Sequence, residues 1–366
     1  MNFDEMSDEI SSQLINDNNV LVYAFNATGK TRLSKKITEK YPVDENGNVK
    51  CLCYNAFLED DFTWDNDSLV FSFESSIITR YLKDEGLDGE VVDAFRKTIG
   101  LNIEPKIDFE NCIVEFVVPT GDDNSVENIK ISKGEETIFK WVLFLVVLRS
   151  AIELLKDKKD NRSTELFDEL KCVIIDDPVS SIDDYRIYTV VCQIIEIINE
   201  IKNYNANSSD KINVSFLISS HHALFFNILS NFFISKRKPT SFFVYVLKRK
   251  NDDYQLDKVG NTNGNFSYHK TVIEEINEAI NNNSLQKKHF NLFRSLLEKT
   301  TVFLCFNNWE NLFEKYDDLE RIKRMLNSNS HGRFSDVEMN ELEEEQKEVF
   351  TNAFNWFINV YHFQVK

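Results

Sequence analysis

The chain has 366 residues, 42% hydrophobic and 28% charged, enough for two domains of ordinary size and a large packed core. A formal net charge of −18 works against wrapping a polyanion over the whole surface, so nucleic acid would need a local basic patch. The strongest apolar run, VLFLVVL at 142–148, falls far short of the roughly 20 residues of a membrane helix, and the acidic start MNFDEMSDE is not signal-like, so no membrane partner is expected.

Along the chain, NNVLVYAF (18–25) reads as a strand, and TRLSKKITEKY (31–41) as a helix with Leu33 and Ile37 on one face. Between them lies ATGKT. Strand, loop, helix is the context in which backbone amides and a helix N-terminus face phosphate, with Asn26, Thr28 and Gly29 lining the loop. Lys30 would then reach the β/γ oxygens and Thr31 would bind Mg²⁺. The plain alternative is an ordinary turn before a helix. Cys51 and Cys53 are the only close pair among six cysteines, which gives neither a disulfide framework nor zinc spacing; the thiols read as reduced and the protein as cytoplasmic.

ISKGEE (131–136) precedes a long helical pattern whose start would carry Ser132 and the Gly134 amide toward an anion; Ser132 and Glu135 also satisfy a capping box. CVIIDDP (172–178) is a buried-looking strand ending in two carboxylates, with Asp176 suited to Mg²⁺ and Asp177 to an attacking water, or else a solvated strand end. VSFLISSHH (214–222) is another strand, and His221 at its end fits a γ-phosphate sensor. The Asn-rich stretches 203–208 and 281–283 read as loops. Basic clusters Lys236, Arg237, Lys238 and Lys248, Arg249, Lys250 flank an apolar strand and suit either RNA phosphates or solvated strand ends.

From residue 269 the pattern turns helical, in KTVIEEINEAI, HFNLFRSLLEKTTVFLCF, NLFEKYDDLERIKRMLN and ELEEEQKEVFTNAFNWFINVYHF. Arg294 and Glu298 share a face of the second helix, as an i,i+4 surface pair would. His331 lies in NSNSHGRFSD, just past the third helix, where a helix-terminal turn is the plain reading.

Taken in order, these stretches resemble the ABC-type ATPase heads of the SMC and RecF kind: a phosphate loop at AFNATGKT, a signature at ISKGEE, a Walker B strand at CVIIDDP, a D-loop at SSID and a switch histidine at SSHH. The resemblance implies that Ser132, Gly134, Glu135 and Asp183 also serve the nucleotide. CLCYNAFLEDDF (51–62) is similar to a segment near the Q-loop position of PrrC- and RloC-type anticodon nucleases, which makes Asn55 the Q-loop-like residue. Ala24 and Ala27 depart from the glycines usual in such loops, at a cost of about 1 kcal/mol wherever the backbone is left-handed. Asp177 departs from the usual glutamate and is one methylene shorter, which bears on hydrolysis more than on affinity. Only residues 32–130 separate loop from signature, too few for long coiled-coil arms.

The helical end resembles the same nucleases. Arg294, Glu298 and His331, with Asn327 and Ser330 as neighbours, match their catalytic trio, and Arg324, seven residues before His331, is similar to the Arg–His motif of HEPN ribonucleases. An imidazole to move the 2′-OH proton and a guanidinium for charge on phosphorus make metal-free RNA cleavage coherent. The resemblance thus implies an α/β fold, with an ABC-type P-loop ATPase head over 1–268 and a C-terminal all-helical domain over 269–366 that is HEPN-like. It further implies ATP or GTP with Mg²⁺, a head-to-tail homodimer or higher even oligomer, and tRNA cleaved in the anticodon loop as anti-phage defence. An alternative is an ATPase switch or scaffold of a Septu- or retron-like complex whose nuclease is a neighbouring protein; a RecF-like DNA-repair ATPase suits the acidic surface least.

Overall fold

The computed structural model describes residues 1–45, 47–55, 62–65, 69–118, 127–234, 242–250, 253–259, 268–330 and 342–363. They fall into two compact units, Met1–Asn265 and Phe266–Lys366.

In the first unit α1 (Phe3–Ile15) starts at a reciprocal capping box between Asn2 and Glu5 and buries Phe3, Met6, Ile10 and Leu14, the three-to-four spacing of an amphipathic helix. It leads into β1 (Asn19–Ala24), α2 (Lys30–Thr38) and β2 (Cys51–Asn55). The short strands β3 (Phe62–Asp65) and β4 (Val70–Phe73), helices α3 (Ile77–Asp84) and α4 (Asp88–Ile99), and strands β5 (Glu104–Asp108), β6 (Ile113–Val118) and β7 (Glu127–Asn128) follow. Then come α5 (Lys133–Lys156), β8 (Cys172–Asp176), α6 (Asp184–Asn207), β9 (Ser215–Ser220), α7 (Ala223–Ile234), β10 (Phe242–Lys250) and β11 (Asp253–Lys258).

Two sheets result. One runs β11-β10-β1-β9-β8-β2, parallel throughout except for β11; the other is antiparallel, β3-β4-β6-β5, with β7 on β6. Every residue of β8 and β9 is buried, as expected of parallel strands covered on both faces. On one face α1 and α2 pack Met6, Ile10, Leu33 and Ile37 onto Val20, Val22, Ile174 and Leu217. α5 is buried from Ile138 to Leu148, because Phe139 meets Phe62, Phe71, Phe95 and Phe116 while Trp141 and Phe144 meet Tyr54 of β2. That explains its apolar run: this stretch of the helix is enclosed by protein on all sides. Among the described residues no helix is long and apolar enough to cross a membrane.

The Asn-rich stretch 203–208, expected as a loop, instead forms the last turns of α6 through Asn207. Tertiary bonds override composition there: Tyr204 donates its hydroxyl to the Lys156 carbonyl at 2.9 Å, and the Asn205 side chain both donates to and accepts from the backbone of Ile212.

The second unit contains α8 (Tyr268–Asn281), α9 (Lys287–Phe303), α10 (Leu319–Ser330) and α11 (Glu344–Val360) around Phe290, Phe293, Phe313, Phe350, Phe354 and Phe357. The third helix expected from sequence is shorter at its start, since Trp309–Phe313 is a 3-10 turn, and it runs on through Ser330. α9 is anchored at its start: the Gln286 amide donates to His289 Nδ1 at 2.9 Å, while Glu275 takes an ion pair from Lys288 at 2.9 Å and faces His289 Nε2 at 3.8 Å. Burial would raise the Glu275 carboxyl, but the His289 ring facing it and the hydrogen bond and charge of Lys288 outweigh it and bring its pKa down to about 2. A carboxylate depressed on folding stabilises above its unfolded value and loses that contribution as pH falls through the folded one. Glu275→Gln is therefore expected to cost on the order of 2–3 kcal/mol at neutral pH, with the gap closing between about pH 4.5 and 2. Thermal melting of both full-length chains across that range checks it; a gap independent of pH contradicts it.

Candidate nucleotide and nuclease sites

Parallel pairing sets the carboxyl ends of four strands side by side, where open α/β sheets hold ligands. Tyr23 lies opposite Ser220, Asp176 opposite Ser219, and Asn55 opposite Asp176. The phosphate-loop residues, the acidic pair, His221 and Asn55 thus converge from distant parts of the sequence.

The loop turns tightly after β1, the Thr28 amide and hydroxyl both donating to the Phe25 carbonyl. Ala27 and Gly29 have φ of 62° and 104°. The strain expected at both alanines falls on Ala27 alone, because Ala24 ends β1 in extended backbone, where any residue fits. Gly29 precedes α2 and supplies no side-chain cap, whereas Asn2, Ser132 and Asp183 cap α1, α5 and α6, so the first amides of α2 are left for a ligand or water. Lys30 is 8% exposed and donates to the carbonyls of Ala24 (3.1 Å) and Phe25 (3.3 Å) and to Asn26 Oδ1 (3.4 Å). Burial lowers its pKa, opposed by the charges of Asp177 and Asp176.

Asp177 is the hub. Its carboxylate accepts from Ser220 Oγ at 2.8 Å and from the His221 amide at 3.3 Å, contacts His221 Nδ1, and lies 3.9 Å from Lys30 Nζ. Burial pushes this carboxyl up, but the His221 bond and charge, Lys30 and Ser220 prevail and hold it below the ordinary range. Asp176 behaves oppositely: burial, reinforced by the Asp177 charge, raises it despite the Ser219 hydroxyl, Lys30 and the Thr31 hydroxyl. Two adjacent carboxylates pushed apart in this way can divide labour, Asp177 staying ionised. Thr31 and Asp176 offer only oxygen donors, a set that fits Mg²⁺.

Ser132, Gly134, Glu135 and Asp183 form a second group. Ser132 is exposed and shares a reciprocal capping box with Glu135, at 2.7 and 3.3 Å. A Cβ on Gly134 would meet the Ser181 carbonyl at 2.9 Å, so the residue is glycine because the D-loop backbone crosses it. Asp183 caps α6, and Arg186 joins Asp183 (3.1 Å) to Glu135 (3.7 Å). Sequence reasoning missed Ser219, Ser220 and Arg186; the two buried serines at the end of β9, directly before His221, were the signal available.

In the helical unit Arg294 Nε donates to Glu298 Oε1 at 2.9 Å. His331 lies outside the described residues, as do Lys236, Arg237 and Lys238; Asn327 and Ser330 belong to α10, not to a turn beyond it. Arg324 donates to the Glu320 carbonyl at 3.3 Å. Of the other basic cluster, Lys248 pairs with Asp257 at 3.2 Å and Arg249 lies 5.8 Å from the Tyr254 ring centre, both on β11.

Sheet order, loop and acidic hub define an α/β P-loop ATPase head of the ABC type, carried on one chain with an all-helical unit. The profile of a family described as an AAA domain matches residues 102–356. A curated relative from Escherichia coli, "Anticodon nuclease", is 33% identical over 341 residues, covering 86% of this chain and 82% of that protein. The chain belongs to this family of PrrC-like anticodon nucleases with an ABC-type ATPase head.

Proposed function

We propose that this chain is an ATP-hydrolysing, nucleotide-gated ribonuclease that cuts tRNA in the anticodon loop as a bacterial defence against phage. The observation that carries the reading is kinship with an anticodon nuclease over 86% of the chain, a span that must include residues of both units. Lys30 and the α2 amides bind the phosphates, and Asp177, kept ionised, orients a water and accepts its proton while His221 senses the γ-phosphate. Thr31 and Asp176 would hold Mg²⁺, which supplies charge neutralisation at the phosphate oxygens. Asn55, Asp183 and, from a second copy, exposed Ser132 with Gly134 and Glu135 complete the closed site in a head-to-tail dimer.

In the helical unit His331 moves the 2′-OH proton, Arg294 meets charge on phosphorus, and Glu298 orients Arg294 through their 2.9 Å bond. An anticodon loop suits such a site because its bases are unstacked and open to contact. Sequencing RNA ends from cells expressing wild type and His331→Ala tests this. A break at one tRNA position in wild type alone is the expected result; no break under any condition defeats the reading.

One observation favours a scaffold role instead. Val302, Phe303, Leu304 and Phe306 at the end of α9 are exposed, Phe303 by 81%, as a docking surface for a separate nuclease would be. Stable co-purification with such a protein would support that reading.

A further inference from the structure

The γ-phosphate end of the site faces β8 and β9, where Asp177 and His221 sit; this inference rests on that reading of the loop. β1 has β9 on one side and β10, then β11, on the other. A triphosphate laid across the end of β1 therefore points its nucleoside toward β10 and β11.

That side carries a structure the ATPase chemistry does not use. Gly29, the last loop residue, abuts Tyr254 of β11 and Phe3 of α1: a Cβ there would lie 3.6 Å from the Tyr254 ring and 3.9 Å from Phe3. Phe3 and Tyr254 meet edge to face at 5.4 Å and are both buried. Arg32, on the first turn of α2 and exposed, lies over the Phe3 ring with its guanidinium carbon 3.9 Å from the centre. Phe3 and Tyr254 thus form a fixed aromatic floor beside the phosphate loop, and Arg32 is the layer resting on it.

We propose that Arg32 is the stacking platform for the nucleobase of the bound nucleoside triphosphate. One face of its guanidinium rests on Phe3, and a base takes the other, a π–cation–π sandwich. Stacking reads the flat face of a base and not its hydrogen-bonding edge, so purine nucleotides should be accepted alike, ATP and GTP binding within about threefold of each other.

The test is calorimetry of the full-length chain with Mg²⁺ and either ATP, GTP or inorganic tripolyphosphate, for wild type, Arg32→Ala and Arg32→Lys. Arg32→Ala should weaken both nucleotides by about 5- to 30-fold and leave tripolyphosphate unchanged. Arg32→Lys, which keeps the charge and loses the plane, should resemble Arg32→Ala. Equal loss for tripolyphosphate, or full rescue by lysine, assigns Arg32 to phosphate charge and overturns the proposal. Unchanged nucleotide affinity in Arg32→Ala overturns it as well. Failure of wild type to bind either tripolyphosphate or nucleotide refutes the phosphate-loop reading itself, a different outcome from any of these.

Discussion

Asp177→Asn is expected to bind Mg²⁺-ATP within a fewfold of wild type while hydrolysing it about 100-fold more slowly or worse, the usual loss when a positioned base is removed. The substitution suits the position. Asp177 holds a left-handed φ of 54°, a conformation asparagine tolerates, and an amide oxygen can still accept from Ser220 and the His221 amide. What disappears is the charge that His221 and Lys30 hold ionised. Phosphate-release kinetics beside calorimetry separate the two effects; unimpaired turnover would remove Asp177 from the hydrolytic step.

Arg294→Ala and His331→Ala are each expected to reduce cleavage of tRNA by about 10²- to 10⁴-fold while ATP turnover stays at the wild-type rate. Independence is expected because every residue assigned to nucleotide belongs to Met1–Asn265. The Arg294–Glu298 pair also separates fold from chemistry. As an i,i+4 pair with Glu298 half exposed, it contributes at most a few tenths of a kcal/mol to stability, so Arg294→Ala should melt like wild type. A variant that melts normally and still cuts tRNA at the wild-type rate would assign Arg294 to the helix surface alone.

The nucleotide end was legible because its signals are local and ordered. VLVYA, CVIID and SFLIS are continuous apolar runs that must be buried parallel strands, and each ends in the polar residues that the sheet then gathers. Where tertiary contacts decide, sequence misled. Residues 203–207 look like a loop but are helical because Tyr204 and Asn205 bond to distant backbone, and Ala24 looks strained but ends a strand. Residues 311–318 continue a helical pattern, yet Trp309–Phe313 turns inward as a 3-10 segment, in which Phe313 reaches Phe293 and Trp356. Ser219 and Ser220 went unread because buried serines in a strand signal that they have polar partners without saying that these are the carboxylates at the end of the neighbouring strand. Arg294 and Glu298 stood out only by resemblance, since their spacing is that of any surface pair.

Nucleotide binding depends most on Lys30, whose buried ammonium lies within reach of the loop carbonyls and Asp177. Titration calorimetry of wild type and Lys30→Ala with Mg²⁺-ATP tests it most directly. Saturable uptake by wild type, weakened roughly 10- to 100-fold in the variant as loss of charged hydrogen bonds to phosphate requires, is the predicted result. No uptake by wild type, or equal affinity in Lys30→Ala, would contradict it.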